Sequence, residues 1–155
     1  MLSYTHRSGL KWDMAPSLLF LAAFGWAAGA IPAIVDGTIV VNLVLHNTQW
    51  VPGHFHTYLL MGLVPMVMAF MYYLAGNAGT GLDRGAFWAF LVGGFGFTFT
   101  FLWAGKESVP RRFAEHLPEW MGIDALGAVF AALAILGVVV FAVRFLGRVG
   151  HLVKA

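Results

Sequence analysis

Four long apolar stretches, at residues 16–35, 57–74, 86–103 and 126–145, punctuate a chain whose polar residues gather between them. None contains Asp, Glu or Lys, and a single Arg144 stands at the end of the last. A hydrocarbon layer about 30 Å thick asks for roughly 20 apolar residues per helical span. Backbone groups in lipid must pair internally, which leaves a helix or a closed barrel, and runs this long and continuous favour helices. The pattern therefore predicts an all-α fold in one membrane domain, residues 1–155, with spans at about 16–35, 54–75, 86–105 and 124–146. Phe95, Phe97, Phe99, Phe101 and Trp103 alternate with the period of a strand. Because they lie inside a stretch of spanning length, they are read as helix, with rings facing lipid, neighbouring helices or a flat cofactor.

Pro32 and Asp36-Gly37 close the first span. Residues 38–47 are apolar at first but too short to cross, and read as an interfacial or re-entrant segment that delivers His46 to the surface. A polar loop is expected at about 106–121. Residues 1–13 carry too short an apolar lead for a signal peptide, so the first span is expected to be retained.

Composition sharpens this picture. Hydrophobic residues make up 60% of the chain and charged ones 10%, with a mean hydropathy of +0.80, the balance of an integral membrane protein. On a four-span reading Arg7, Lys11, Arg84, Arg144, Arg148 and Lys154 share one side, against Lys106, Arg111 and Arg112 on the other. That bias puts both termini in the cytoplasm. It also leaves Arg111-Arg112 against the charge rule, which asks for a local reason. The net charge of +2 needs no polyanionic partner, and no phosphate loop, repeat or nucleic-acid signature is present. With no cysteine, disulfides, thiolate metal sites and iron–sulfur clusters are excluded within this chain, leaving mainly imidazole-based metal chemistry.

That chemistry concentrates at His54-Phe55-His56, at the start of the second span. Residues i and i+2 of a helix lie roughly 200° apart, so the two imidazoles face opposite sides. They are poorly placed to chelate one ion, but each can supply an axial ligand to a separate cofactor, with Phe55 between. This arrangement suggests two haems. Ionisable residues inside spans tend to be functional. His6, His116 and His151, near the termini or in a polar loop, read as solvated. Met61, Met66, Met68 and Met71 read as flexible packing.

The run His46-Asn47-Thr48-Gln49-Trp50-Val51-Pro52-Gly53-His54-Phe55-His56 resembles the tenth-helix motif of haem-copper oxidase subunit I, in the B-type (ba-type) version with Trp-Val-Pro-Gly before the histidines. Val109-Pro110-Arg111-Arg112 resembles the arginine pair that this subunit carries between its eleventh and twelfth helices. The likeness runs from about Trp12-Asp13 to the end of the last span and corresponds to helices nine to twelve of a twelve-helix-type bundle.

The resemblance implies a membrane-bound cytochrome c oxidase of a prokaryotic plasma membrane, reducing oxygen to water with uptake or translocation of protons. It implies His54 as proximal, catalytic ligand of the high-spin haem iron, His56 as an axial ligand of the low-spin haem iron, and Phe55 between the two. Arg111 and Arg112 would pair with haem propionates. His46 and Asn47 would lie near the propionates of the high-spin haem, and Trp50 would face a copper-bearing subunit II that passes on electrons from cytochrome c or a similar donor. The copper ligands, a tyrosine linked to one of them, and the second low-spin haem ligand have no place in this sequence. The expectation is thus the carboxy-terminal piece of a split subunit I, inactive alone, completed by a separate amino-terminal piece. Relatives often carry an acid where this chain has Asn42; a neutral amide cannot load a proton there. The alternatives are a nitric oxide reductase-type member of the superfamily, a non-catalytic assembly subunit, and, less well served by only two suitable histidines, a cytochrome b.

Overall fold

A computed structural model describes residues 7–76 and 79–152, with backbone alone for residues 150–152. His6 and Lys154 lie outside the described residues, as does the side chain of His151. Helix α1 spans Met14–Gly37, α2 Ile39–Leu45, α3 Trp50–Leu74, α4 Gly81–Lys106 and α5 Met121–Leu152. All but α2 are long and apolar enough to cross a membrane. Most of their ends reach a few residues beyond the apolar stretches, as at Met14, Gly37, Trp50 and Gly81. The seven-residue α2 is only about 10 Å long at 1.5 Å per residue. Its Ile39, Val40, Leu43 and Val44 are exposed.

Helices α4 and α5 form the most extensive pair, α1 runs along α3, and the start of α3 crosses the end of α4. Between them lies a core of Leu18, Leu21, Met61, Met68, Phe90 and Phe141. The alternating aromatic run falls within α4. There its rings part company: Phe95 meets Phe24 of α1, Phe97 and Phe101 meet edge-on one turn apart with centroids 4.6 Å apart, and Phe99 and Trp103 stay exposed. A helix sends residues two apart to different faces. The strand-like spacing therefore becomes aromatic cover on several sides of one helix.

Helix α3 is not uniform. A π-helical turn at Leu59–Leu63 separates α-helical Trp50–Tyr58 from Val64–Leu74. Pro65 has no N–H for the carbonyl of Met61 four residues earlier, which loosens the ladder there. The freed carbonyl sits directly against Gly25 of α1, where any Cβ would collide with it. One proline and one glycine thus set the approach of α1 to α3.

At the end of the bundle where α4 begins, Thr80 caps the helix and Asp83 returns the bond, a reciprocal capping box. Asp83 is fully buried. Its carboxylate accepts from the Thr80 N–H at 2.6 Å, the Thr80 hydroxyl at 2.7 Å and the Tyr72 hydroxyl at 2.5 Å. Arg144 Nε and Arg148 Nη2 of α5 reach it at 3.3 and 2.8 Å, and Arg148 also lies 4.9 Å above the Tyr72 ring. Arg144 and Arg148 are thus not merely charges facing water: one turn apart, they share one side of α5 and clamp α3, α4 and α5 together.

Candidate functional site

At the opposite end, two glycines let α3 and α4 touch through their backbones. A Cβ on Gly53 would meet Leu102, at 2.9 Å from Cδ2, and one on Gly105 would strike the Trp50 backbone. This crossing presents His54 and His56 between α1 on one side and α4 on the other. The His56 ring lies 5.8 Å from Phe97 and 5.7 Å from Phe101, both on α4. His54 Nδ1 points the other way, 3.6 Å from the Asp36 carboxylate at the end of α1. The two imidazoles do face different helices. Phe55, between them in sequence, is exposed.

Their ring nitrogens differ in a way the residue types do not disclose. His56 Nδ1 lies 2.7 Å from the main-chain carbonyl of Pro52, which accepts the proton and leaves Nε2 with its lone pair. His54 Nδ1 is buried without a hydrogen-bond partner. Asp13 Oδ1 is likewise unpartnered, but it opens α1, where the positive end of the helix dipole favours a carboxylate. No such compensation serves the imidazole.

The loops over this end are stitched to each other. An isolated antiparallel bridge joins Thr48 and Pro110. Gln49 N–H donates to Val109 O and Arg111 N–H to Asn47 O, both at 2.9 Å. Thr48 is buried, its hydroxyl donating to Leu45 O at 2.8 Å and accepting from Trp50 N–H at 3.2 Å. Arg111 therefore stands beside Asn47, and Arg112 follows with φ of 67°. Left-handed backbone is costly for a residue with a Cβ and tends to mark functional sites. Neither guanidinium has a partner among the described residues. His46 and Asn47 are exposed. Trp50 is half-buried, its indole N–H donating to Pro32 O at 3.2 Å.

One expectation is corrected here. His116 is not solvated: its Nδ1 lies 2.7 Å from Asp124 Oδ2, its side chain is 18% exposed, and Trp120 packs edge-on against it. The partners are eight residues apart across the turn into α5, a spacing with no periodic signature. Asp36 was likewise legible only as a helix terminator. The available signal was an acid at the negative end of a helix dipole, where it is disfavoured. Among the described residues no group of three or more His, Cys, Asp or Glu is gathered to hold a metal ion.

The family model for cytochrome c and quinol oxidase polypeptide I matches residues 1–144. The chain belongs to that family. It is 31% identical over 138 residues to cytochrome c oxidase subunit 1 of Thermus thermophilus, covering 81% of this chain and 24% of the relative. It is 31% identical to the subunit 1 of Cereibacter sphaeroides over 144 residues, 85% of this chain and 25% of that one. Halobacterium salinarum cytochrome c oxidase polypeptide 1 matches at 28% identity over 79% and 22%. A chain of a heme-copper terminal oxidase dimer solved by cryo-electron microscopy superposes with a TM-score of 0.76 at 27% identity, covering 87% of this chain and 26% of that one. This member of the oxidase polypeptide I family thus spans about a quarter of the length of each relative named here. The family brings haem and copper with it, and its all-helical membrane fold is the one observed.

Proposed function

We propose that this chain is the haem-ligating carboxy-terminal part of a B-type cytochrome c oxidase catalytic subunit, multi-pass in a prokaryotic plasma membrane with both termini cytoplasmic. The observation that carries the reading is the pair of imidazoles two residues apart, directed to different helices, each with Nε2 free of any hydrogen-bond partner among the described residues. An imidazole that ligates iron through Nε2 must carry its proton on Nδ1, and His56 already has an acceptor for that proton. The donor set therefore fits iron ligation, in which His54 would hold a high-spin and His56 a low-spin haem. When bound, haem and copper supply electron transfer and the reduction of oxygen to water.

The chain's own residues ligate, orient and shield. Phe97 and Phe101 wall one side of His56 and keep water from its ring. Arg111 and Arg112, unpaired and pinned beside Asn47 by the bridged loops, serve propionate carboxylates, with His46 and Asn47 at the same edge. Phe55, exposed in this chain, would sit between the two haems, and Trp50 would face subunit II. Copper ligands and the second low-spin haem ligand come from a partner segment outside these 155 residues. Electrons come from cytochrome c or a similar donor through subunit II. The relatives named above are cytochrome c oxidases, which favours oxygen over nitric oxide as substrate.

The test is a carbon monoxide difference spectrum of the complex isolated from its native membrane through a tag on this chain, with oxygen and nitric oxide turnover on the same sample. A carbon monoxide-binding haem that disappears in His54→Ala is expected. An intact complex without haem would leave a non-catalytic assembly subunit in its place.

A further inference from the structure

Asp36 stands at the wrong end of a helix for an acid. It is the penultimate residue of α1, where unpaired carbonyls make negative charge unfavourable, and Gly37 beside it suffices to end the helix. Its side chain is nonetheless held inward, 15% exposed. Asn42 of α2 supplies the grip: one Nδ2 donates to the Asp36 main-chain carbonyl at 2.7 Å and to Oδ1 at 3.1 Å. With Oδ1 occupied, Oδ2 is the oxygen facing His54 Nδ1 at 3.6 Å. That distance is beyond a hydrogen bond, and a small rotation of either side chain closes it. On one side of the gap is a buried nitrogen with no partner, and on the other a carboxylate oxygen that α2 has turned toward it.

We propose that Asp36, oriented by Asn42, is a positioning residue for the iron ligand His54: its carboxylate accepts the Nδ1–H hydrogen bond and makes this imidazole the more electron-rich of the two. The inference rests on His54 being an iron ligand. His56 gives the internal contrast, since its Nδ1 proton goes to a neutral carbonyl. Hydrogen bonds to a carboxylate are roughly twice as strong as neutral ones, and a stronger acceptor on Nδ1 raises the basicity of Nε2 toward a metal. A more basic axial ligand stabilises ferric over ferrous iron. Two ligands of the same residue type, two positions apart, thereby receive different donor strengths from the ends of different helices. Asn42 acquires a use that its amide chemistry suits: it loads no proton, and it aims a carboxylate.

The test uses the intact oxidase complex and two readouts other than turnover. They are the iron–histidine stretching band of the ferrous high-spin haem by resonance Raman, and the separate redox titrations of the two haems. Asp36→Asn should lower the stretching frequency and shift the ferric-to-ferrous ratio of the high-spin haem at fixed potential about tenfold toward ferrous, ~59 mV upward for one electron. The low-spin haem should not move. Asn42→Ala, which leaves the charge but frees Oδ1, should shift both readouts in the same direction by less. If Asp36→Asn prevents assembly, the Asn42→Ala complex decides alone. A carbon monoxide-binding haem with band and potential unmoved in these variants overturns the role of Asp36 while leaving His54 as ligand. Survival of that haem in His54→Ala overturns the ligand reading itself, and the role of Asp36 with it.

Discussion

The two ends of this bundle handle buried polar groups in opposite ways. At one end the Asp83 carboxylate is fully buried and meets the Tyr72 and Thr80 hydroxyls, the Thr80 N–H and two arginines. At the other, His54 Nδ1 is buried with no bond at all, two guanidiniums stand unpaired, and Arg112 holds a left-handed backbone. Burying a charge is tolerable only when partners replace water. Asp83 has its partners within the chain, and they come from three helices, so it is a fastening. Buried polar atoms without partners are rare in stable proteins; of the two among the described residues, Asp13 Oδ1 has the favourable N-terminus of α1, while His54 Nδ1 belongs to the His54-Phe55-His56 run. On the ligation proposed above, this open end is where haem would be held.

The sharpest way to break this comparison is to remove the ligands. His54→Ala is expected to abolish the carbon monoxide-binding haem and all turnover, while His56→Ala bleaches the low-spin absorption and also stops turnover. Equal loss of both haems in each variant would mean that the histidines support the fold rather than separate cofactors.

Next in size comes the fastening. Asp83→Ala leaves Arg144 and Arg148 facing each other without their carboxylate, and should cost about 3–5 kcal/mol, as for other buried ion pairs broken on one side. The expected readout is a lower yield and an earlier thermal transition of the complex. Whatever assembles should show haem spectra and potentials like those of the parent. A selective change in one haem's potential would contradict the division between the two ends.

Arg111→Gln tests the open end more gently. Losing one charge-assisted hydrogen bond to a carboxylate is worth about 1.5–3 kcal/mol. Removing a cation near a haem also favours the oxidised state, so the potential of the affected haem should fall. The effect should shrink as salt is raised, because exposed charges are screened over about 10 Å at 0.1 M. A potential that does not move, with full haem content, would show that the arginine pair has another purpose.

How much of this was legible beforehand follows from the range of the interactions. Each spanning helix announces itself within roughly 20 residues, and the opposite facing of His54 and His56 follows from helical angle alone, so both were readable. Asp83 meets Arg144 and Arg148 across 61 and 65 residues. In sequence these were a polar residue before a span, an arginine at the end of the last span and another just beyond it. Only the Thr80-x-x-Asp83 capping pattern hinted that Asp83 has a fixed place. The pairing of Asp36 with His54 depends on where α1 stops and how α2 turns back, which no periodicity encodes. His116 was misread for the same reason: a loop histidine is solvated by default, and its Asp124 partner sits on the first turn of the next helix.

Thr48 offers the smallest perturbation and the finest test of how the open end holds its shape. Its hydroxyl donates to Leu45 O and accepts from Trp50 N–H, so one buried side chain joins the end of α2 to the start of α3. The same residue carries the bridge to Pro110, which sets the neighbouring Arg111 beside Asn47. Thr48→Val keeps shape and removes both side-chain bonds, leaving a buried acceptor and donor short of one partner each, for about 1–3 kcal/mol of local stability. Because α3 and α4 also meet through Gly53 and Gly105, the helices should stay in register and both haems should remain bound. What should loosen is the loop, seen as faster hydrogen exchange at the Gln49 and Arg111 amides with little change elsewhere. A fall in haem potential of the kind expected for Arg111→Gln, but smaller, would tie that loosening to the guanidinium. Faster exchange with an unchanged potential would mean that the arginine keeps its place without the bridge.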